Sequence, residues 1–370
     1  MKLLLAQFRK PPCETRFYDK IGNAIAAMGN TVLSAGNNIP SINHSKYPNI
    51  KLLPIFSGRA VEDRSTMKDL LLLWHLILNE KPDVLIYSSP EIGLILPLLR
   101  ISTSTRIIFD IQENHQLNIQ KQHFKSRKRG LYSILAKILI QFGLKFCHRI
   151  WLAECIYETQ LSIPANKAAT IENKAASFPS IDFDAKTEET YFCFSGFISR
   201  ESGVIRAINF VNQIRKIRPE IKLRVCGYCP DKNLRKEIQD VDFVEYKHPE
   251  YWESASEIHQ MVKNSMGLLM PYYETESNAG KTPSKWFDSI VLSKPVLIPL
   301  HHQFKLPFEN SIGYQVDFQQ PAQNDFKAIL QFIDNWPEKK SDVEGKEVCL
   351  FDPLPVQMEI IMLLEKSSFS

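Results

Sequence analysis

Two lysines, Lys281 and Lys285, bracket the start of a predicted helix that opens near Ser284, inside the polar stretch between Pro271 and Asp288. Cations at a helix N-terminus oppose the macrodipole at a cost of about 0.3–1 kcal/mol, and an anion held between them removes that conflict. One turn on, Asp288 is either a carboxylate that accepts hydroxyl hydrogen bonds from a ligand or the i,i+3 salt-bridge partner of Lys285. A second constellation, Asp110-Ile111-Gln112-Glu113-Asn114-His115, follows an apolar run. Glu113 and His115 are of the types that orient a hydroxyl or receive its proton; the alternative is a strand-end cap at Asp110 and a surface histidine. A third, Ser195 to Gly203, joins a predicted strand to a predicted helix. There Gly196 either lets the backbone approach a ligand, with free N–H groups suited to a phosphate, or is simply a turn. Cys226 and Cys229 have Cys-x-x-Cys spacing, but no second pair follows, so a strand end and its turn outweigh zinc or redox chemistry.

Such residues act only if a framework gathers them. In the first half, apolar runs at Lys2–Phe8, Thr31–Ser34, Ile50–Ile55, Val84–Tyr87 and Arg106–Asp110 alternate with helical patterns at Phe17–Met28, Met67–Leu78 and Ile92–Leu99. The second half restarts the alternation, with strands at Tyr191–Ser195, Ile221–Cys226, Val241–Tyr246, Gly267–Pro271 and Pro295–Pro299. Helices are predicted between them at Gly203–Ile217, Ser256–Asn264 and Ser284–Ser293. Two doubly wound parallel sheets are expected, joined within Asn173–Glu189, with a closing apolar helix at Val356–Leu364 after Pro353-Leu354-Pro355. In such sheets ligands bind at the carboxyl ends of strands, where all three constellations fall.

The 370 residues, 44% apolar and 23% charged, fit two globular domains and exclude global disorder. The formal charge of +4 argues against a chain that coats nucleic acid, but it conceals an asymmetry. Residues 1–173 carry 22 Lys+Arg and 13 Asp+Glu, whereas 174–370 carry 23 and 28, so the halves stand at +9 and −5. The cations Lys121, Lys125, Lys128, Arg127 and Arg129 lead into a helix, and from Asn114 to Ala153 there is no Asp or Glu. On that helix Leu131, Ile134, Leu135, Ile138, Leu139, Phe142 and Phe146 form a stripe expected to face the core, with Ser133, Lys137, Gln141 and Lys145 opposite. The cationic run before it (Lys125, Arg127, Lys128, Arg129) is expected to meet anionic lipid, each cation contributing about 1 kcal/mol. No run of apolar residues is long enough to cross a membrane, and the first residues read as a buried strand rather than a signal peptide. Seven scattered cysteines imply reduced thiols, so a cytoplasmic protein, peripheral at the inner membrane face, is expected.

Lys285-Trp286-Phe287-Asp288-Ser289-Ile290-Val291-Leu292-Ser293-Lys294-Pro295-Val296 resembles the K-x-x-E-Y-x-x-x-G-x-P-V segment of GT-B glycosyltransferases, particularly the retaining family 4. Ser195-Gly196 to Gly203 resembles that family's G-R-x-x-x-x-K-G loop, Val225-Cys226-Gly227 its I-x-G strand end, and Ala169-Thr170-Ile171-Glu172-Asn173 its V-I-x-N-G segment. The resemblance covers most of the chain, in order. It implies a GT-B fold of two Rossmann-like domains facing a central cleft, residues 1–173 binding the acceptor and 174–352 the nucleotide sugar, with 353–370 returning to the first domain. It implies a glycosyltransferase of bacterial-type surface polysaccharide synthesis, retaining and metal-independent, with a nucleotide-diphosphate sugar as co-substrate, a glycan or lipid-linked acceptor and no cofactor. An epimerase of the same fold, or a non-catalytic binding protein, are the alternatives.

By the same resemblance, Glu113, His115 and Lys285 serve catalysis, and Gly196, Arg200, Asn278, Gly280, Lys281, Thr282, Ser284 and Asp288 hold the donor. The departures are specific. Phe197 and Ser202 replace the family's Arg and Lys, leaving Arg200 as the nearest cation. Gly280 stands where a Glu is expected, which leaves Asn278 and the Gly280-Lys281-Thr282 amides for the sugar; Gln112 replaces a His, and Lys10-Pro11-Pro12 a Gly-Gly loop.

Overall fold

The computed structural model describes residues 1–38, 47–56, 66–121, 129–176, 190–247, 249–275, 278–319, 323–336 and 346–365. The chain divides into two compact units, one of Met1–Asn173 with Asp352–Ser370, the other of Lys174–Phe351. The first contains β1 (Lys2–Ala6), β2 (Thr31–Asn37), β3 (Ile50–Phe56), β4 (Val84–Tyr87), β5 (Arg106–Ile111), β6 (Arg149–Leu152) and β7 (Ala168–Thr170). All pair in parallel in the order β3-β2-β1-β4-β5-β6-β7, so strand order reverses between β1 and β4. Short runs of Leu, Ile and Val become strands buried on both faces because helices cover both sides. Leu3, Leu4 and Leu5 are all fully buried.

On one face, Leu4, Leu85, Tyr87, Ile107 and Phe109 share a core with Leu73, Leu96, Leu99 and Ile140 from the helical segments Thr66–Glu80, Pro90–Ser102 and Arg129–Phe146. On the other, a π-helical turn, Arg16–Gly22, runs into the helix Asn23–Ala26, which packs against the C-terminal helix Leu354–Glu365. That last helix is pinned by Glu359, whose carboxylate accepts from Arg149 Nε at 2.7 Å, Arg149 Nη2 at 2.6 Å and Trp151 Nε1 at 3.3 Å.

One expectation is overturned here. The helix Arg129–Phe146 buries Ser133, Ala136, Leu139, Ile140 and Leu144, whereas Ile134, Leu135, Ile138 and Phe142 of the expected core stripe are exposed. The reason is close approach. A Cβ on Gly143 would lie 2.7 Å from the Tyr87 hydroxyl and 2.9 Å from the Phe109 ring, and one on Gly93 would lie 2.9 Å from the Leu139 carbonyl oxygen. Gly143 therefore faces the sheet, Ser133 and Ala136 are buried, Leu139 of the expected stripe stays buried and Phe146 stays against the core, and Ile134, Leu135, Ile138 and Phe142 turn outward. Lys125, Arg127 and Lys128 lie outside the described residues.

The second unit contains β8 (Tyr191–Ser195), β9 (Lys222–Cys226), β10 (Val244–Tyr246), β11 (Gly267–Leu269), β12 (Val296–Pro299) and β13 (Gly313–Val316). They pair in parallel in the order β10-β9-β8-β11-β12-β13, with the reversal between β8 and β11. Phe192, Phe194, Val225 and Leu269 pack with Val204, Val211 and Ile214 of the helix Val204–Ile214. The opposite face holds Trp286 and Ile290 of the helix Ser284–Val291, the indole N–H donating to the Pro307 carbonyl at 2.8 Å.

Candidate functional site

In the second unit the strand-end loops converge beside the point where strand order reverses. Gly196 ends β8 with φ +111°, and Gly227 follows β9 with φ +132°. A Cβ on Gly227 would fall 1.8 Å from the Gly196 carbonyl oxygen, so only glycine lets these turns touch. Against them lies Lys285, at the start of its helix. Its Nζ donates to the Ser195 carbonyl at 2.5 Å and sits 4.9 Å and 5.5 Å from the Tyr272 and Phe194 ring centroids. The ammonium is thus held at the carboxyl end of β8, 3.2 Å from where a Cβ on Gly196 would stand. Ser284 occupies the first position of the same helix.

Asp288, one turn on, does not pair with Lys285. Its Oδ1 lies 3.2 Å from Nε2 of the buried His259, on the helix Ala255–Asn264. No local sequence signal marks His259, because the contact joins two helices through residues 29 positions apart. This contact engages one of the two carboxylate oxygens.

The other donor-site candidates are engaged within the fold. Arg200 forms an exposed ion pair with Glu237, on the helix Lys232–Gln239, and the Glu237 carboxylate raises its pKa. Asn278 Nδ2 donates to the Tyr273 carbonyl at 2.9 Å, and the Gly280 N–H donates to Gln303 at 2.8 Å. The Thr282 hydroxyl donates to the Lys305 carbonyl at 2.5 Å, while the Lys281 carbonyl accepts from the Lys305 N–H at 3.0 Å. Residues 280–282 therefore run along 303–305: the Gly280 N–H serves that pairing, while the Asn278 side-chain amide closes its own loop on Tyr273, so both are engaged within the fold. In the loop after β8, Ser199 and Ser202 exchange hydrogen bonds, each N–H donating to the other's hydroxyl at 3.0 and 3.1 Å. Those two amides are closed to a phosphate. Arg206, whose guanidinium lies 3.7 Å from the Tyr273 ring centroid, is a further cation beside these loops.

Burial disfavours the thiolate form of the inner cysteines. Burial pushes Cys193 up to about 12, and burial followed by the nearby Cys193 and Glu253 pushes Cys226 well above the ordinary thiol range. Among the described residues no group of three or more His, Cys, Asp or Glu is placed to hold a metal ion.

In the first unit, a chain of charge runs along the carboxyl ends of β1 and β5. Lys10 Nζ donates to Glu14 at 3.2 Å and to Gln112 Oε1 at 2.7 Å. Gln112 Nε2 donates to Asp110 at 3.0 Å, and Asp110 takes both arms of the buried Arg16 guanidinium at 2.9 and 2.6 Å. Burial opposes the charge on Arg16, but Asp110 outweighs it and raises the pKa. Asp110 is thus the floor of an ion-pair network and not a strand-end cap; the cap is Asn114, whose Oδ1 accepts from the Leu117 N–H at 3.2 Å.

The two predicted acceptor residues sit at the end of this chain. Glu113 is exposed and accepts from Asn118 Nδ2 at 2.9 Å. His115 has a pKa below the ordinary histidine value: burial dominates, Glu113 opposes it and Arg9 reinforces it. Arg9 pairs with Glu91 at the mouth of β4. In the sequence Glu91 interrupts the apolar run Val84–Leu99. Arg129 belongs to its helix, away from these loops in sequence.

No family model matches this chain, and no curated protein matches it. Solved structures do. Sucrose-phosphate synthase from Thermosynechococcus elongatus superposes with a TM-score of 0.66 at 13% identity, over 99% of this chain and 98% of that one. WaaG, a glycosyltransferase involved in lipopolysaccharide biosynthesis, gives 0.61 at 12% identity over 94% and 96%. HepE from Anabaena, in complex with UDP-glucose, gives 0.58 at 10% identity over 99% of each chain. The chain has the GT-B fold. At such identities the likeness concerns the fold alone. Two GT-B sheets of seven and six strands supply the architecture described above.

Proposed function

We propose that this chain transfers a glycosyl group from a nucleotide-diphosphate sugar to a glycan or lipid-linked acceptor, as in surface polysaccharide synthesis. The observation that carries the reading is the position of Lys285. An ammonium held at the end of β8, at a helix N-terminus and under a glycine turn, suits the negative charge that builds on a departing nucleoside diphosphate. Lysine has three donors, so Nζ can keep Ser195 and still meet a phosphate oxygen. Asp288 accepts from ribose hydroxyls, with His259 orienting it, and Ser284 and Gly196 border the diphosphate.

In the first unit, Glu113 and His115 are assigned to the acceptor. Because burial lowers the His115 pKa, the ring is neutral near pH 7 and can receive a hydroxyl proton. Retention of anomeric configuration and independence of metal follow from the motif resemblance, with Lys285 in the metal's place. UDP and UDP-glucose occur in the structures of fold neighbours, which supports a nucleotide-sugar donor.

One observation favours a second reading, a binding protein without activity. Arg200, Asn278 and the Gly280 N–H are all engaged internally. A panel of UDP-, ADP- and GDP-sugars, tested first for thermal stabilisation and then for product, separates the two. Transfer predicts stabilisation by one donor and a glycosylated acceptor. Lys285→Ala should then lower kcat by about 10²–10³, far more than the modest fall in melting temperature expected from losing the Ser195 hydrogen bond. Stabilisation without turnover supports the binding protein, a converted donor without acceptor supports an epimerase, and an unchanged kcat in Lys285→Ala overturns the donor site.

A further inference from the structure

The outward turn of the helix Arg129–Phe146 leaves an apolar surface on the first unit. Ile134 (59% exposed), Ile138 (47%) and Phe142 (39%) project from it, and next to it the segment Pro90–Ser102 exposes Leu94, Leu98 (58%) and Ile101 (86%). These two elements pack backbone to backbone through Gly93, so the exposed side chains form one neighbourhood. Monomeric soluble proteins seldom leave so many large aliphatic side chains together in water without a use for them.

The exposed charge around this surface is mainly positive. Neither Ile92 to Phe109 nor Asn114 to Ala153 contains an Asp or Glu, while Arg100, Lys137 and Lys145 are exposed on the same two elements. Glu91, at the start of the segment Pro90–Ser102, is paired with Arg9, and an apolar face whose exposed charges are mainly cations fits an anionic lipid surface, where acyl chains take the aliphatic groups and headgroup phosphates take the ammonium and guanidinium groups. A second copy fits worse, because a two-fold contact would bring two cationic rims together with no carboxylate on either copy of the helix Arg129–Phe146 to pair them. No helix among the described residues is long and apolar enough to cross a membrane, so the contact is with the surface.

We propose that this face, centred on Leu98, Ile101, Ile134 and Ile138, docks the first unit onto anionic membrane, with Lys137, Lys145 and Arg100 at the headgroups. The docking site is therefore the exposed helix stripe itself. It does not depend on the chain being a glycosyltransferase, since binding to lipid is read without any donor or acceptor.

The test is co-sedimentation of the full-length chain with vesicles of mixed phosphatidylglycerol and phosphatidylcholine, or of phosphatidylcholine alone, at low and high salt. Binding is expected with the anionic vesicles only, weakening as salt rises. The double variant Ile134→Ser/Ile138→Ser should lose at least about tenfold in apparent affinity, and Lys137→Glu/Lys145→Glu a similar amount. All four positions are exposed, so melting temperatures report that the variants fold. The proposal is overturned if the anionic vesicles do not bind the protein, or if they bind the variants as well as the parent. It is also overturned if the parent is a dimer that Ile134→Ser/Ile138→Ser dissociates, since the face is then a subunit interface.

Discussion

His148 shows how one side chain couples the first unit to pH. It follows the helix Arg129–Phe146, and its Nδ1 accepts the Ile107 N–H at 2.9 Å, which only the neutral ring can do. Burial first, then the Arg100 and Arg106 charges, lower its pKa from 6.5 to about 4. A histidine depressed on folding binds its proton more readily in the unfolded chain. Its contribution is whole above pH 6.5 and is lost as pH falls from 6.5 through about 4. His115, also depressed, acts in the same direction. His148→Asn keeps an acceptor for Ile107 but cannot take up the proton. The urea midpoint of the transition involving the first unit should therefore fall less steeply over that range in the variant; an unchanged slope would place the acid sensitivity elsewhere. At this scale Lys285 was legible, because a cation at a helix N-terminus is anomalous within a single segment. The Lys10–Gln112–Asp110–Arg16 chain was not, because it joins residues 94 and 102 positions apart.

Elements show where patterning suffices and where it misleads. Buried strands such as Val84–Tyr87 and Tyr191–Ser195 are contiguous apolar runs that tolerate no other role in a parallel sheet, and they are found where expected. The helix Lys232–Gln239 went unread although its signals were present: Asp231 caps the Asn233 and Leu234 amides at 2.9 and 3.1 Å, and Leu234 and Ile238 are buried four apart. The roll of Arg129–Phe146 was misread because a hydrophobic stripe ignores backbone approach, which Gly143 decides. Glycine also gives a test at this scale. Gly29 has φ +79° with nothing within 4 Å of its would-be Cβ, so Gly29→Ala meets only conformational strain of about 1–2 kcal/mol. Gly227→Ala adds a collision with the Gly196 carbonyl, and the β8 and β9 ends must separate to admit it. Denaturant unfolding should show Gly227→Ala costing at least about 2 kcal/mol more than Gly29→Ala. Equal costs would mean that the two turns are not in contact.

For the whole molecule, the last residues belong with the first. Residues 352–370 carry three carboxylates and one lysine, so grouping them with residues 1–173 makes the units +7 and −3 rather than the +9 and −5 of a simple cut. The C-terminal helix buries Val356, Ile360 and Leu363, and its Gln357 donates to the Ala24 carbonyl at 3.2 Å. Deleting everything after Phe351 exposes those contacts and leaves Arg149 and the Trp151 indole N–H without Glu359. At about 1.5–3 kcal/mol for each buried aliphatic side chain, the loss is on the order of 5 kcal/mol, comparable with the whole stability of a domain. Among the described residues, no strand or core cluster of the second unit includes these residues. Hydrogen exchange on the truncated chain should therefore show protection lost at β1, β2, β4 and β6 and retained at β8, β9 and β11. Glu359→Gln, which removes one charge but no apolar surface, should loosen the same strands to a smaller extent. If truncation left the first unit protected, or loosened both units alike, the C-terminal helix would not be the closing element of the N-terminal sheet.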